Sequence, residues 1–263
     1  MTDHNQRNET KIIGLIAAMP QESDALLRHV PAWEPIQLGE MRGARFMLGK
    51  WDCVLVTSGM GLVRALDGTR ALLEGTKPQL LISFGIAGAI EVELHIGDVV
   101  ISSKTALLEN GRTAQAQALT NPSQPAWEAI RRTLEPMGAS LTSGTAVTTR
   151  GSQVFLKGQS EIIHPILEME TAGIAQAAAA AGIPLLSIRS ISDGPEAPIP
   201  FDLEKIMDEE YNLMPGKLIQ AILRDPRILL KSRRMIRNSG RAAEHAALAV
   251  IAALSQPGVL IAG

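Results

Sequence analysis

The chain has 263 residues, a formal net charge of −2 and 46% hydrophobic residues, enough to bury a large core in a single domain. The balanced charge gives no reason to expect nucleic-acid binding, and no run of about 18 uninterrupted apolar residues predicts a membrane span. The single Cys53 excludes an intrachain disulfide and favours a reducing compartment. The first residues are polar and lack the apolar segment of a secretory signal, so we expect a cytoplasmic protein.

Short apolar runs alternate along the chain with helix-like segments. The predicted strands are 11–19, the hairpin of 46–49 with 53–59, then 79–90, 97–108, 140–149 and 184–193. The predicted helices are a segment from Pro20, then 64–75, 125–137 and 170–181. Alternating buried strands and helices predict one α/β layered domain, 1–263, with a mostly parallel sheet. From about 216 the chain continues as a basic helical C-terminal extension.

Several common motifs are missing. The stretch "GMGLVRALDG" has Arg64 where a dinucleotide fingerprint needs its third glycine. The sequence has neither a Walker-type phosphate loop nor a Gly-x-Ser-x-Gly elbow, and its five histidines lack metal-like spacing. We therefore expect no metal, no cofactor and no serine-hydrolase chemistry.

Polar and glycine-rich stretches instead follow the predicted strands. In open α/β sheets, ligands bind at the carboxyl ends of the strands. The candidate site residues at these ends, or at the start of the helix 170–181, are Met19, Glu22, Met60, Ala87, Gly88, Glu168, Met169, Glu170, Arg189, Ser192 and Asp193.

The acids in this set also have ordinary structural explanations. Glu22 could be a first-turn helix acid, and Glu168 and Glu170 could favour the dipole of the helix that follows. Asp193, before Gly-Pro, could be a turn residue. Arg189 resists such an explanation because apolar residues flank it, and a buried guanidinium needs a carboxylate partner or a ligand.

Taken in order, these segments resemble the nucleoside phosphorylase/nucleosidase superfamily, and within it the nucleosidases typified by 5′-methylthioadenosine/S-adenosylhomocysteine nucleosidase. The similar segments are "IGLIAAMPQE", "VTSGMGLVRA", "SFGIAGAIEVELHIGDVVIS", "SGTAV", "LEMETAGIA" and "IRSISDG" followed by "PFD". The resemblance implies a three-layer α/β/α phosphorylase-like fold with a twisted mixed central sheet. It also implies cleavage of the N-glycosidic bond between ribose and a purine base.

The resemblance further implies a role for each acid. Asp193 is similar to the acid that protonates the leaving purine at N7, and Glu22 to the base that activates the attacking water. Glu170 is similar to the acceptor for the ribose hydroxyls, with Met169 against the sugar and Arg189 orienting Glu170. These roles suit the reaction, because negative charge stabilises an oxocarbenium-like transition state and a protonated base leaves more easily.

The resemblance also implies a role for Phe201, which would lean over the base or the 5′ substituent. Two loops indicate whether the nucleophile is water or phosphate. Phosphorylases of this superfamily carry an arginine in the loop after the first strand and a serine in the third loop. Here "MPQESD" has Glu22, which would repel phosphate, and "SFGIAGA" has Ile86 in the serine position. Hydrolysis is therefore preferred, and Arg64 keeps a phosphorylase as the alternative.

The substrate stays open at this point. Ile86 also replaces a serine of the methylthioadenosine enzymes, and 145–151 lacks the phenylalanine expected against the purine. "SFGIAGA" and the basic tail resemble the hopanoid-associated members, thought to remove adenine from an adenosylated hopanoid lipid. An adenosylhopane nucleosidase is thus one alternative. A non-catalytic nucleoside-binding protein is another, although a binder would not need both Glu22 and Asp193.

The C-terminal extension alternates apolar and basic residues over 216–241. Pro226 interrupts this pattern, which predicts two basic amphipathic helices. In one interpretation the extension packs on the domain or on a second subunit. In the other it makes a peripheral contact with the anionic inner membrane surface. We expect the protein to be a homodimer.

Overall fold

The computed structural model describes residues 11–109, 112–149, 162–195, 197–198, 227–256 and 258–259. Phe201, Pro226 and the first ten residues of the basic extension lie outside these ranges. The strands are β1 (Ile12–Ala17), β2 (Glu34–Leu38), β3 (Met41–Leu48), β4 (Trp51–Thr57), β5 (Leu80–Ala89), β6 (Val99–Glu109), β7 (Arg112–Ala118), β8 (Leu141–Thr148), β9 (Pro165–Glu168) and β10 (Leu185–Asp193). The helices are α1 (Pro20–Leu27), α2 (Leu62–Thr76), α3 (Gln124–Leu134) with a 3₁₀ turn (Glu135–Met137), α4 (Thr171–Ala181) and α5 (Arg227–Leu254).

The strands form one mixed sheet in the order β10-β6-β8-β9-β5-β1-β4-β3-β2, and β7 pairs with β6. Because β10 also pairs with β5, the strands β5, β10, β6, β8 and β9 close into a ring. The twisted mixed sheet is therefore confirmed.

The expectation of a mostly parallel sheet was wrong. Among the described strands five pairings are parallel and five are antiparallel. An apolar run indicates that both faces of a strand are buried, but it does not give the direction of its neighbours. Here helices and ring closure bury antiparallel strands as well as parallel ones.

Helices cover both faces of the sheet. On one face α5 packs against β10 and β5 and contacts α1 and α3, and on the other α2 packs against α4. Successive residues of a strand point to opposite faces, so Leu15 belongs to the core under α5 while Ile16 belongs to the core under α2 and α4. The predicted three-layer α/β/α architecture is confirmed.

Three short strands escaped the prediction, each for a physical reason. The edge strand β2, "EPIQL", contains a proline and is largely exposed. The strand β7, "RTAQAQA", carries small and polar residues with little burial. The strand β9 has four residues and ends just before α4, so its apolar letters merge with the helix pattern.

Helix α5 is the described part of the C-terminal extension. Its described residues are Arg227–Leu254; Pro226 and the other predicted helix lie outside the described residues. Its second half is buried in the main core, where His245 Nδ1 lies 2.7 Å from the Gly97 carbonyl. Arg28 at the end of α1 donates to Glu244 over 2.8 Å. Within the described residues, no helix has the length and apolarity needed to cross a membrane.

Candidate active site

The candidate residues meet at one edge of the sheet. Strand β1 runs parallel to β4 and β5, and β5 runs parallel to β10, so the carboxyl ends of these strands lie together. Helix α1 follows β1, and α2 follows β4, so both begin at the same edge. This edge is the one at which a ligand site was predicted.

Glu22 connects the loop after β1 with strand β5. It is the third residue of α1, and its Oε2 accepts from the backbone N–H groups of Ala18 and Met19, each over 2.9 Å. Its Oε1 accepts from the N–H of Ile86, also over 2.9 Å. Burial raises the pKa of this carboxyl, although the backbone donors and the charge of Arg189 oppose that rise. Glu22 is therefore more than a first-turn acid, because it is fixed against β5 as well.

Two glycines of β5 give the carboxyl groups their space. A Cβ at Gly85 would lie 2.2 Å from Glu22 Oε1, and a Cβ at Gly88 would lie 2.8 Å from Asp193 Oδ2. Gly85 also has a φ of 154°, which L side chains rarely adopt. Both acids thus approach the β5 backbone more closely than any other residue type at 85 or 88 would allow.

Asp193 ends β10, in register with Gly88. Its Oδ1 accepts from the Ser192 hydroxyl over 2.6 Å, and Ser192 lies 3.3 Å from the Ala87 carbonyl oxygen. Burial raises the pKa of Asp193, and the hydrogen bond from Ser192 opposes that rise. A carboxyl group with a raised pKa keeps its proton to higher pH and is suited to proton donation.

Glu170 is the N-cap residue of α4, yet its side chain does not cap that helix. Its Oε1 accepts from the N–H of Gly61 over 2.9 Å, and its Oε2 from the N–H of Met169 over 3.2 Å. Burial, followed by the charge of Glu168, raises its pKa to about 7, against the Gly61 hydrogen bond and the charge of Arg189. This carboxylate therefore joins the starts of α2 and α4.

Methionines stand beside these carboxyl groups. Met19, Met60 and Met169 are each adjacent in sequence to a loop or helix start at this edge, and each is partly exposed. Methionine is flexible and apolar, so such side chains suit a surface that packs against a sugar or an apolar substituent.

Arg189 is paired with Glu168 rather than with Glu170, the partner implied by the resemblance. Its Nη2 lies 3.3 Å from Glu168 Oε2, and the two side chains are 3% and 0% exposed. The same nitrogen donates to Ser83 Oγ over 2.7 Å and to Thr171 Oγ1 over 3.0 Å. The reason is local: Glu168 ends a strand of the ring, whereas the Gly61 N–H draws the Glu170 side chain toward α2. A buried arginine needed a carboxylate, as predicted, and Glu168 supplies it.

Sequence reasoning missed the hydroxyl groups around Glu168. Thr148 on β8 hydrogen-bonds Glu168 Oε1 and accepts from the N–H of Ala172, and Thr171 donates to Glu168 Oε2. The threonine in "LEMETAG" offered a signal, as the first residue of a helix preceded by acids. A buried strand hydroxyl such as Thr148 has no distinguishing pattern in one sequence.

The expected roles of two other residues meet different outcomes. Phe201 lies outside the described residues. Arg64 lines a groove between α1 and α2 together with Asp24 and Asp67. Within the part of the chain that the structure describes, no group of three or more His, Cys, Asp or Glu side chains is placed to hold a metal ion.

Comparisons with known proteins identify the family of the chain. The family model described as the phosphorylase superfamily matches residues 12–224. A 5′-methylthioadenosine/S-adenosylhomocysteine nucleosidase of Glaesserella parasuis is 34% identical over 202 residues, which cover 69% of this chain and 85% of the relative. The nucleosidase of the same name from Listeria innocua is 34% identical over 213 residues, covering 72% and 90%.

A solved structure shows the same fold. The 5′-methylthioadenosine/S-adenosylhomocysteine nucleosidase of Colwellia psychrerythraea, in complex with adenine, superimposes with a TM-score of 0.71 at 20% identity. The match covers 97% of this chain and 99% of that one. The superfamily resemblance drawn from the sequence motifs is confirmed by these matches.

Proposed function

The chain belongs to the phosphorylase superfamily, and we propose that it is a nucleosidase that hydrolyses the N-glycosidic bond of an adenosine-type, 5′-modified nucleoside and releases the free base. One observation carries the proposal: two carboxyl groups with raised pKa, the buried Glu22 and the partly buried Asp193, lie against the glycines of β5. The names of the relatives support an adenosine-type substrate.

In the proposed reaction the two carboxyl groups move protons on opposite sides of the bond that breaks. Asp193 gives its proton to the purine, at N7, so that the base leaves neutral as the bond to C1′ breaks. Glu22 takes a proton from water while the remaining hydroxide bonds to C1′. Burial suits both, because it favours the protonated form of Asp193 and makes ionised Glu22 a stronger base.

The other residues bind and orient the substrate. Ionised Glu170 accepts hydrogen bonds from the ribose hydroxyls, and its negative charge favours the oxocarbenium-like transition state. Met169, Met19 and Met60 pack against the sugar and the 5′ substituent. The base lies along Ala87, Gly88 and Ser192, next to Asp193. Arg189 acts on this site through its ion pair with Glu168.

The contacts of Glu22 support water rather than phosphate as the nucleophile. A bound phosphate needs donors and cations. Here the N–H groups of Ala18, Met19 and Ile86 already donate to the Glu22 carboxylate, whose charge repels anions. Arg64, the alternative phosphate ligand, lies in a groove beside Asp24 and Asp67.

An assay of free base tests the function directly. We expect adenine to be released from 5′-methylthioadenosine at the same rate with and without phosphate, and the sugar product to carry no 1-phosphate. Release that requires phosphate and yields a sugar 1-phosphate would make the protein a phosphorylase. Tight binding of the nucleoside without release of base would make it a non-catalytic binding protein.

We further propose that the protein acts in the cytoplasm as a homodimer. The free Cys53 is buried, and burial raises its pKa to about 12, so its thiol is kept from oxidative chemistry. The groove that contains Arg64 also has Leu27, Trp33, Ile36 and Met41 in its lining, and this apolar part supports a subunit interface. Sedimentation as a monomer at micromolar concentration would contradict the dimer.

The exposed face of α5 favours a second candidate, hydrolysis of a lipid-tailed nucleoside such as adenosylhopane at a membrane surface. Arg233, Arg234, Arg237 and Arg241 are exposed, and so is Ile236. The stretch 227–241 contains no acid. A basic face with an exposed apolar residue suits an anionic lipid surface.

Vesicle binding tests this candidate. We expect the protein to co-sediment with anionic vesicles at low salt and to dissociate as salt is added, because the attraction is screened over about 10 Å at 0.1 M. The charge reversal Arg233→Glu/Arg234→Glu should abolish binding. The matched pair Arg131→Glu/Arg132→Glu on α3, also exposed, should leave it intact. No vesicle binding at low ionic strength, with fast cleavage of short 5′-thioadenosines, would exclude the lipid substrate.

A further inference from the structure

We infer that Glu168 is a positioning residue: it caps α4 in place of Glu170 and thereby frees the Glu170 carboxylate to face the ribose, an inference that rests on the proposed function. The sequence predicts Glu168 among the substrate-binding residues. Its side chain is 0% exposed, and its contacts run to protein groups on several elements. It therefore acts on the substrate through its neighbours.

The backbone contacts show how Glu168 replaces the usual cap. A helix begins with N–H groups that lack partners within the helix, and the N-cap side chain ordinarily accepts from one of them. In α4 the N-cap is Glu170, whose side chain makes no such bond. Glu168 Oε2 instead accepts from the N–H of Glu170 over 3.1 Å and from the N–H and hydroxyl of Thr171 over 2.6 and 2.5 Å. The helix start is thus satisfied from the preceding strand.

The remaining contacts fix Glu168 itself. Its Oε1 is hydrogen-bonded to Thr148 on β8, and its Oε2 is paired with Arg189 on β10. In the ring β9 pairs with β8 but not with β10, so the carboxylate is held by an adjacent strand, by a strand that does not pair with β9 and by the helix that it caps. Glu170 is then left to reach across to the N–H of Gly61.

The same arrangement sets the charge state of Glu170. The described charged groups that act on it are Glu168 on β9, Arg189 on β10 and Glu22 on α1, while α2 contributes the Gly61 N–H. Glu168 and Glu22 raise the pKa of Glu170, whereas Arg189 and the Gly61 N–H lower it. Removing the charge of Glu168 would leave burial and the charge of Glu22 as the causes that raise the pKa of Glu170, so this pKa would fall.

The variant Glu168→Gln tests the inference, because it preserves the shape and removes the charge. We expect the titration of Glu170, followed by NMR of the side-chain carboxyl carbon, to move from about 7 to lower pH. A shift of about one pH unit or more is the size expected when a neighbouring charge is lost. If ionised Glu170 binds ribose, the acid limb of kcat/KM moves by the same amount.

Two further variants distinguish a positioning role of Glu168 from a purely structural role. Thr148→Val removes a hydrogen bond from Glu168 but no charge, so it should lower Tm and leave the titration of Glu170 in place. Glu168→Asp keeps the charge but withdraws the carboxylate from α4, so KM should rise by roughly tenfold as Glu170 loses its position. It also provides a second test if Glu168→Gln does not fold.

The outcomes distinguish this inference from the proposed function. An unmoved Glu170 titration in Glu168→Gln, or an unchanged KM in Glu168→Asp, would overturn the positioning role even in an active nucleosidase. The expected NMR shift in a protein that releases no base would instead overturn the nucleosidase and leave the capping by Glu168 in place.

Discussion

Replacing Asp193 with asparagine is expected to abolish base release while nucleoside binding stays within about tenfold of the parent protein. The amide keeps the shape of the carboxyl group, still accepts the hydrogen bond from Ser192, and fits beside Gly88. What it loses is the proton that the purine must take as it leaves. General acids contribute up to about 10⁴-fold to rate, and we expect a loss at that upper end because purine leaves poorly without its proton.

Two measurements check this expectation. Single-turnover release of adenine gives the chemical step, and binding of a nucleoside analogue gives affinity. Ser192→Ala, which removes the hydroxyl contacts with Asp193 and the Ala87 carbonyl but leaves the Asp193 carboxyl in place, should lower the rate far less. Because the acid must carry its proton, activity should fall as pH rises through the raised pKa of Asp193. Near-normal turnover in Asp193→Asn would remove Asp193 from the mechanism.

Replacing Glu22 with glutamine should slow hydrolysis by about 10²- to 10⁴-fold, the span of a lost general base. The amide no longer takes a proton from water. It also turns an NH₂ group toward at least one of the N–H groups of Ala18, Met19 and Ile86, so some stability is lost as well. Thermal unfolding should therefore accompany the kinetics, to show that the inactive variant is folded.

Asp24→Asn is the matched control for Glu22→Gln. Asp24 lies on the same helix and is exposed, so its amide should leave base release unchanged. If Glu22→Gln retained the parent rate, another group would have to activate the water. If phosphate stimulated base release in the parent protein, hydrolysis itself would be the wrong assignment, and Arg64 would be the residue to replace next.

The sequence predicted the layers and the edge that carries the site because these depend on repeated signals. Buried runs such as the one through Ile82 and Phe84 repeat along the chain, and each is followed by a polar or glycine-rich loop. Position within a run also assigns the faces of the sheet, as the neighbours Leu15 and Ile16 show. The ring closure between β5 and β10 has no local signal, because it depends on pairing between strands far apart in sequence.

The partner of Arg189 shows where sequence reasoning ended. A buried arginine among apolar residues required a carboxylate, and that requirement is met. Which of Glu168 and Glu170 met it depended on whether a strand precedes α4, and β9 was not predicted. Glu168 ends strand β9 and points into the ring, whereas Glu170, two positions later, is the N-cap residue of α4. The two acids therefore point in different directions and have different roles.

The contact between Glu22 and Gly85 has a consequence for how this protein can change over generations. If an alanine arises at position 85 while Glu22 is still present, its Cβ lies 2.2 Å from a carboxyl oxygen and its backbone must keep a φ of 154°. If Glu22 is lost first, the steric part of that penalty disappears and only the backbone conformation still favours glycine. The order of substitutions therefore matters, and a lineage that loses the acid and then the glycine cannot regain the acid by a single reversal. With this order of substitutions, hydrolysis is lost more easily than it is regained.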